Sequence, residues 1–591
     1  MRLFLVTLFL LSSLISLAQS DVLAKEYFDK GQFEKAVVLY EDLYKTNKNS
    51  ALYASSLIAC YQALKDFDKA EKIISERYSR LKQPNILVEL GYNYQLQNNT
   101  SKAEEYYKKA IDELATNIHF GSGVAYAFEQ KNLLEKALQV YDYATSVNPQ
   151  LNFDFQKARI YGQMGNLELM IESFLDYAEK NPNQTPVIQS QFNRFVEEDS
   201  SDEFTRLLRK SLLARAQKTQ NIYWNEFLSW FFIQQKQLDR AFVQEKAIYK
   251  RNPESISNIV NLAKLAVESE SYDLAREIFD FVLQNTQDLD TRIEVNTFMM
   301  ELKIKLAQPK DYSKISADFE SLLVEFGESY STLELQILQA RFIGFNLDNP
   351  VRAQQILNRL LELNLNNFDR VQIKLELGDM LLYEEKFNQA LIYYSQIETD
   401  VKNHELGHQA SLNIAKTSYY KGDFPWAMKQ LTVLKGSFSQ LIANDALDLY
   451  MLIKDNSQSD STYTALKKFA KGDFLIYKNK DDQALQQFHQ ILKDHKGDDI
   501  ESVTLLRIGQ ILDKKQNYAQ ALEYYQRIIN DFSDGIYLDE ALYFSAEIYN
   551  KHLGEPEKAK EFYEKIIFNH QDSIYFVDAR KQYRILRGDT I

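Results

Sequence analysis

One spacing constrains this chain more than anything else in it. Ala36 is followed by Ala70, Ala103 and Ala137 at intervals of 34, 33 and 34 residues. Each sits in a related phrase: GQFEKAVVLYEDL from Gly31, DFDKAEKII from Asp66, TSKAEEYYKKA from Thr100 and LLEKALQVYDYA from Leu133. Met170 takes the alanine's place in NLELMIESF, and the frame returns at Ala241 and Ala275. Farther on it lengthens. Ala353, Ala390 and Ala427 stand 37 apart, and Ala484, Ala521 and Ala559 are separated by 37 and 38. Self-similarity at this period marks an array in which each unit buries its apolar face only against its neighbours.

The unit itself reads as a helix pair. Upstream of most anchors lies an apolar-periodic stretch, then a polar turn, then a second such stretch. In the copy around Ala103, Leu87, Leu90, Gly91 and Tyr94 mark one face of a first helix, A. Gln97-Asn98-Asn99-Thr100 is the turn, and Ala103, Tyr106, Tyr107 and Ala110 mark the second helix, B. Gly91 and Ala103 are small where the two backbones should approach. With 9 prolines and 18 glycines in 591 residues, little interrupts helix formation, and a hydrophobic share of 45% supplies a core.

These residues resemble the tetratricopeptide-repeat family, whose pattern is Leu-Gly-x-x-Tyr on helix A, Ala-aromatic-Ala on helix B and a following Pro. Ala24/Tyr27/Ala36/Tyr40, Ala125/Tyr141/Ala144/Pro149, Gly378/Phe387/Ala390/Tyr394 and Gly509/Tyr518/Ala521/Tyr525 carry the match. It covers about 21–180, 220–285 and 345–591. The lengthened copies resemble YbgF-like and outer-membrane-assembly repeat proteins of Gram-negative, Bacteroidota-like envelopes. The resemblance implies an all-α, right-handed superhelical solenoid of antiparallel helix pairs, about 13–15 repeats counting degenerate ones. It also implies that helix A lines a concave, peptide-binding face. Carried over, the contact positions in two copies are Asn85, Val88, Tyr92 and Gln95, then His119, Ser122, Tyr126 and Glu129.

The expected organisation is a signal peptide over 1–18, an N-terminal array over 19–182 and degenerate helical repeats over 183–345 with a regular pair near 220–285. A C-terminal array over 346–571 and a capping helix with tail over 572–591 follow. Residues 183–219 and 285–345 break the period, and Pro309 marks a joint in the second. Arg2 followed by the uncharged run Leu3–Leu11, with Ser16-Leu17-Ala18 as a small-x-small cleavage site, reads as a secretory signal. Export to the periplasm, peripheral to the outer membrane and without a lipid anchor, is therefore expected. Cys60, in the run LIACY, is the only cysteine, so no intramolecular disulfide is possible, and a small buried role is expected.

The sharpest chemical motif is His404-Glu405-Leu406-Gly407-His408. On a continuous helix two histidines four apart can grip zinc while the glutamate serves as base, which would make a zinc metallopeptidase. The frame argues otherwise. Aligning Ala410 with Ala541 places His404 before a helix A and His408 in its first turn, while Ser411 and Ile414 stand where an extended motif needs Gly and His. His495 and His570 occupy the slot of Phe532, a junction position, and His489 faces solvent. Gly121-Ser122-Gly123 is too short for a phosphate loop, and Arg587-Gly588-Asp589 reads as a polar tail. With a net charge of -14 and no basic stripe, nucleic acid is not an expected partner. The sequence thus favours a non-catalytic scaffold or adaptor for other cell-envelope proteins, with no catalytic residue, metal or cofactor. An assembly factor of a secretion or gliding apparatus differs from it only in partner.

Overall fold

The computed structural model describes residues 20–198, 202–219, 221–436, 440–457 and 462–588. The expected signal peptide and its cleavage site lie outside them, as do part of the acidic run near 200 and Asp589. Among the described residues the secondary structure is helical, with no strand. No helix there is long and apolar enough to cross a membrane.

The repeat is visible in the backbone as well as in the sequence. Each of the thirteen anchors lies five residues after a residue with positive φ, from Gly31, Lys65, Asn98 and Asn132 to Asn479, Gln516 and Gly554. That residue ends helix A. The next amide then reaches back to a carbonyl of helix A's last turn, as Asn99 N to Tyr94 O at 3.0 Å and Lys386 N to Leu381 O at 2.9 Å. This is the left-handed helix stop that frees the chain to reverse. In several copies the same next residue then caps helix B: Asn99, Asn166 and Asn349 accept from the amides of Lys102, Leu169 and Arg352. One residue therefore closes helix A, and its neighbour opens helix B.

Packing explains the anchors. All thirteen are buried, none more than 2% exposed. Four residues after the anchor comes a ring or aliphatic side chain in every copy but that of Ala241, which has Glu245; Tyr107, Tyr394, Phe488 and Tyr525 lie across helix A of their own copies. A side chain added at Gly378 would put its Cβ 2.5 Å from Tyr394, and Gly91, Gly472 and Gly509 meet Tyr107, Phe488 and Tyr525 in the same way. So Gly91 is small chiefly because the Tyr107 ring occupies the space of a Cβ. The approach of the Ala103 backbone, 3.0 Å from that position, is the lesser constraint.

The chain divides into two compact units, one ending at Ala214 and the other beginning at Arg215. The division falls inside helix Asp202–Thr219, within the stretch that the sequence treats as one degenerate segment. In the first unit, helix A is short: Asn85–Leu96 has 12 residues and Gly121–Gln130 has 10. Residues 183–219 form helices Thr185–Glu198 and Asp202–Thr219. In the second unit, Asn367–Tyr383 and Glu405–Lys421 each have 17 residues. Helix B has 14 residues in both Leu134–Val147 and Phe387–Asp400, so between the copies of Ala137 and Ala390 the longer period is mainly a longer helix A. Residues 285–345 hold helices Leu289–Leu306 and Tyr312–Phe326, joined by a turn at Pro309–Asp311 where the sequence placed a joint, and then helix Leu333–Phe345.

Two features of the second unit depart from the expected pattern. Between the copies of Ala427 and Ala484 stands an additional helix, Gln440–Asp455, packed on helix Phe424–Leu434 without a helix B of its own. At the end stands helix Phe576–Arg587, whose exposed side is not simply polar. Val577 (76% exposed) and Ile585 (47%) share it with exposed Arg580 and Lys581.

Candidate interaction surface

The carried-over contact positions in the first unit do not behave alike. Ser122, Tyr126 and His119 are exposed, Tyr126 by 58%. His119 belongs to a short 3-10 turn, Ile118–Phe120, ahead of the helix rather than to its first turn. Asn85 opens its helix half-buried. The Tyr92 ring carries the Lys131 ammonium 4.7 Å from its centre, Gln95 accepts the Tyr107 hydroxyl at 2.7 Å, and Glu129 pairs with Arg159 at 3.3 Å. Val88 is the correction. It is 0% exposed and part of the first unit's core, since helices Phe67–Leu81 and Gly121–Gln130 both pack on helix Asn85–Leu96.

The same inner face holds polar residues that the sequence reading passed over. Asn93 is fully buried, taking a bond from Gln62 Nε2 at 3.3 Å and giving one to Phe67 O at 3.0 Å. Glu89 lies 3.5 Å from Arg77, yet burial holds its carboxyl above the ordinary range.

In the second unit the inner face carries a ladder that runs from copy to copy. Arg341 bonds Glu376 at 2.8 Å and lies 3.8 Å from Asp379. Asp379 Oδ1 accepts the Tyr394 hydroxyl at 2.6 Å and the Asn413 amide at 3.2 Å. Lys416 meets Asp445 at 3.3 Å, and Asp473 takes both the Tyr419 hydroxyl at 2.9 Å and Arg507 at 3.2 Å. Burial, followed by the Glu376 charge, pushes the Asp379 carboxyl up to about 7 despite Arg341. Burial also raises Asp473. Burial and the neighbouring Asp539 push Glu540 up to about 8. A signal for this ladder was present. Arg341, Asp379, Lys416 and Asp473 each directly follow the small residue of helix A, Ala340, Gly378, Ala415 and Gly472, and their sign alternates.

Helix Thr464–Tyr477, helix A of the copy of Ala484, makes contacts beyond its nearest copy. Its last turn folds over the A–B turns of two earlier copies. The Tyr477 ring lies 5.4 Å from Phe345, and its hydroxyl donates to Asp379 O at 3.4 Å. Phe474 packs between Phe387 and Tyr420 at 5.7 and 4.9 Å. Lys478, only 9% exposed, bonds Glu385 at 2.9 Å, and Lys480 lies 3.3 Å from Asp348. Glu385 and Asp348 are the left-handed turn residues of their copies, which places their carboxylates at the edge this helix meets.

The histidine motif is dismantled by its surroundings. His404 is the N-cap of helix Glu405–Lys421, its Nδ1 accepting from the Leu406 amide at 3.2 Å, with its ring 4.7 Å from Phe368. His404 therefore lies outside the helix that carries His408, and the pair does not share a rigid helical face. Among the described residues no three His, Cys, Asp or Glu side chains are grouped to hold a metal ion. His495 and His570 are the C-cap residues of their helices, as Phe532 is of its own, and His489 is exposed. Cys60 is buried at 0% exposure, and burial pushes its thiol up to about 11.

This arrangement supplies tyrosines, amides and paired charges along successive helices, which suits the binding of another chain. The class it defines is a helix-pair array of the kind that serves as a protein-interaction scaffold. More particularly, tetratricopeptide-repeat models match residues 84–113, 504–535 and 539–567, so those segments are tetratricopeptide repeats. No curated protein matches the chain. Among solved structures, one of Naa15/Naa10 bound to HypK-THB shares 12% identity, covering 97% of this chain and 92% of that one at a TM-score of 0.26. The APC/C hetero-tetramer Cut9–Hcn1 shares 13%, covering 95% of each at 0.25. A tetratricopeptide repeat protein from Parabacteroides merdae shares 15%, covering 49% of this chain and 98% of its own at 0.29. Likenesses this remote say nothing about partners.

Proposed function

We propose that this chain is a non-catalytic scaffold or adaptor of the bacterial cell envelope, exported to the periplasm, which holds segments of other envelope proteins against its helix-A faces. The observation that carries the reading is the row of helix pairs whose inner positions present exposed tyrosine and polar groups, Ser122 and Tyr126 among them. Such a row offers apolar contact and hydrogen bonds along an extended length of partner. Arg2, the run Leu3–Leu11 and Ser16-Leu17-Ala18 support export. The resemblance of the longer C-terminal copies to envelope-assembly repeat proteins supports the setting. An apparatus for secretion or gliding is one such setting.

Two measurements test this. Cell fractionation with N-terminal sequencing should recover the protein in the periplasm, beginning after Ala18. Recovery of an uncleaved cytoplasmic chain refutes the envelope role. Crosslinking in intact cells followed by purification should yield the same envelope proteins repeatedly, and Tyr126→Ala with Ser122→Asp should weaken at least one of them. Purified chain with no crosslinked protein partner refutes the scaffold role.

A further inference from the structure

The fold-back of helix Thr464–Tyr477 creates a cavity that neither the repeat pattern nor the matches assign. It has a volume of about 310 Å³ and lies among helix Leu289–Leu306, helix Leu333–Phe345 and the end of the fold-back helix. Its apolar lining comes from Ile304, Leu338, Phe342 and Phe345, with Tyr477 on one side. Lys305, Arg341, Asn346 and Asn479 bring polar groups to it. We propose that this cavity receives one aromatic side chain of an extended partner segment, with an acidic residue beside it in the partner meeting Lys305.

The floor sets the first half of that statement. Phe342 is 1% exposed and Phe345 9%, so both are fixed by the core, and Tyr477 is held by its bond to Asp379 O and its contact with Phe345. Rigid ring walls of this kind favour another ring, which packs edge-to-face or offset against them. The volume accommodates one such side chain rather than a whole folded element.

Charge sets the second half. Arg341 is already engaged by Glu376 and Asp379, so it has little left to offer a ligand carboxylate. Lys305 is different. It is exposed, its ammonium lies 5.0 Å from the centre of the Tyr272 ring, and no carboxylate among the described residues forms an ion pair with it. Glu301, one turn earlier, also lines the cavity and repels an acid at its own end, which leaves Lys305 as the lining cation open to a partner carboxylate. Asn346 gives its amide nitrogen to the Tyr312 hydroxyl at 3.2 Å, leaving its carbonyl for a partner backbone N–H.

The inference rests on the scaffold reading, and the test separates the two. The probe is an amidated, fluorescein-labelled peptide with one Phe flanked by Glu in a Gly/Ser background, titrated with the full chain by anisotropy. Wild type should bind it, and replacing its Phe by Ala should abolish binding. Replacing its Glu residues by Gln should weaken binding about tenfold, and Lys305→Glu should do the same to the original probe. Leu338→Phe, which fills the cavity while keeping an apolar side chain, should also lose binding. Equal binding by wild type and both variants overturns the proposal, as does failure of wild type to bind the probe. If wild type ignores the probe yet still retains crosslinked envelope proteins, the cavity assignment falls and the scaffold stands. If it retains none, the scaffold falls as well.

Discussion

In the first unit helix A spans 10 to 12 residues in the copies of Ala103 and Ala137, whereas in the second it reaches 17 in those of Ala390 and Ala427. The repeat period grows from 34 to 37 or 38 over the same comparison. A gain of three or four residues is about one helical turn. An insertion of that size lengthens the helix while keeping every side chain on its original face, which is why the anchors stay in register. The inner faces then diverge. Around Tyr92 and Tyr126 the first unit presents rings and amides, with one ion pair, Glu129 with Arg159, between copies. From Arg341 to Arg507 the second links each copy to the next through charged and hydroxyl groups. The lesson is that one packing rule, a small residue under a ring, tolerates two kinds of inner surface.

The largest expected effect probes that shared rule. Tyr107 and Tyr394 occupy equivalent positions over Gly91 and Gly378. Replacing either ring by alanine should destabilise its unit by about 3–5 kcal/mol, as large core truncations do. Phenylalanine should separate the two sites. Tyr107 gives its hydroxyl to the exposed Gln95, whose amide can turn to water, so Tyr107→Phe should cost little. Tyr394 serves the buried Asp379, and Tyr394→Phe should cost about 1–3 kcal/mol because the carboxyl loses a donor. Denaturant unfolding followed by hydrogen exchange in each unit measures both. Equal losses for the two phenylalanine variants would erase the distinction between the inner faces.

A second effect follows from titration. An acid whose folded pKa is raised holds its proton in the folded state while the unfolded chain has already released it. Its stability contribution is thus complete below the unfolded value near 4 and is lost as pH rises towards the folded value, about 7 for Asp379. Protection of helix Asn367–Tyr383 against hydrogen exchange, corrected for the intrinsic rate, should therefore decline between pH 4.5 and 7. The slope should be at most about 1.4 kcal/mol per pH unit. Asp379→Asn should flatten that decline. Helix Asn85–Leu96, with Glu89 raised in the same direction, provides the comparison within the first unit. A steeper decline there would place the stronger pH dependence in the wrong unit.

Much of this architecture was legible in the sequence because small residues at helix crossings cannot be replaced without loss. Ala36 through Ala559 gave the frame, and His404 was placed ahead of its helix by alignment alone. The turn residues were not legible. Gly31 and Asn98 suit positive φ, but Lys65, Lys236, Glu270, Glu385 and Gln516 hold it too, forced by the helices on either side. Val88 was misplaced because a single helix pair leaves it outward, and the neighbouring copies packed on both sides of its helix bury it. Helix Gln440–Asp455 has no anchor to announce it. The ladder and the cavity depend on which copies meet in space, and the fold-back of Thr464–Tyr477 is a tertiary fact that no local pattern encodes.

That fold-back supports the smallest effect and the sharpest contrast. In the first unit, Lys136 with Glu104 and Lys210 with Glu168 join residues 32 and 42 apart, about one copy's length. In the second, Lys478 and Glu385 are 93 apart and Tyr477 and Asp379 are 98 apart, across the intervening copy of Ala427. A nearest-neighbour array has no energetic coupling over such an interval. A double-mutant cycle on Lys478→Met and Glu385→Gln should instead return a coupling of about 0.5–1 kcal/mol, because Lys478 is largely buried between Tyr383 and Phe474 while Glu385 remains exposed. The same cycle on Lys210 and Glu168, both exposed, should return a value near zero. If the two cycles agree, helix Thr464–Tyr477 rests on the earlier copies without binding them, and the second unit is as one-dimensional as the first.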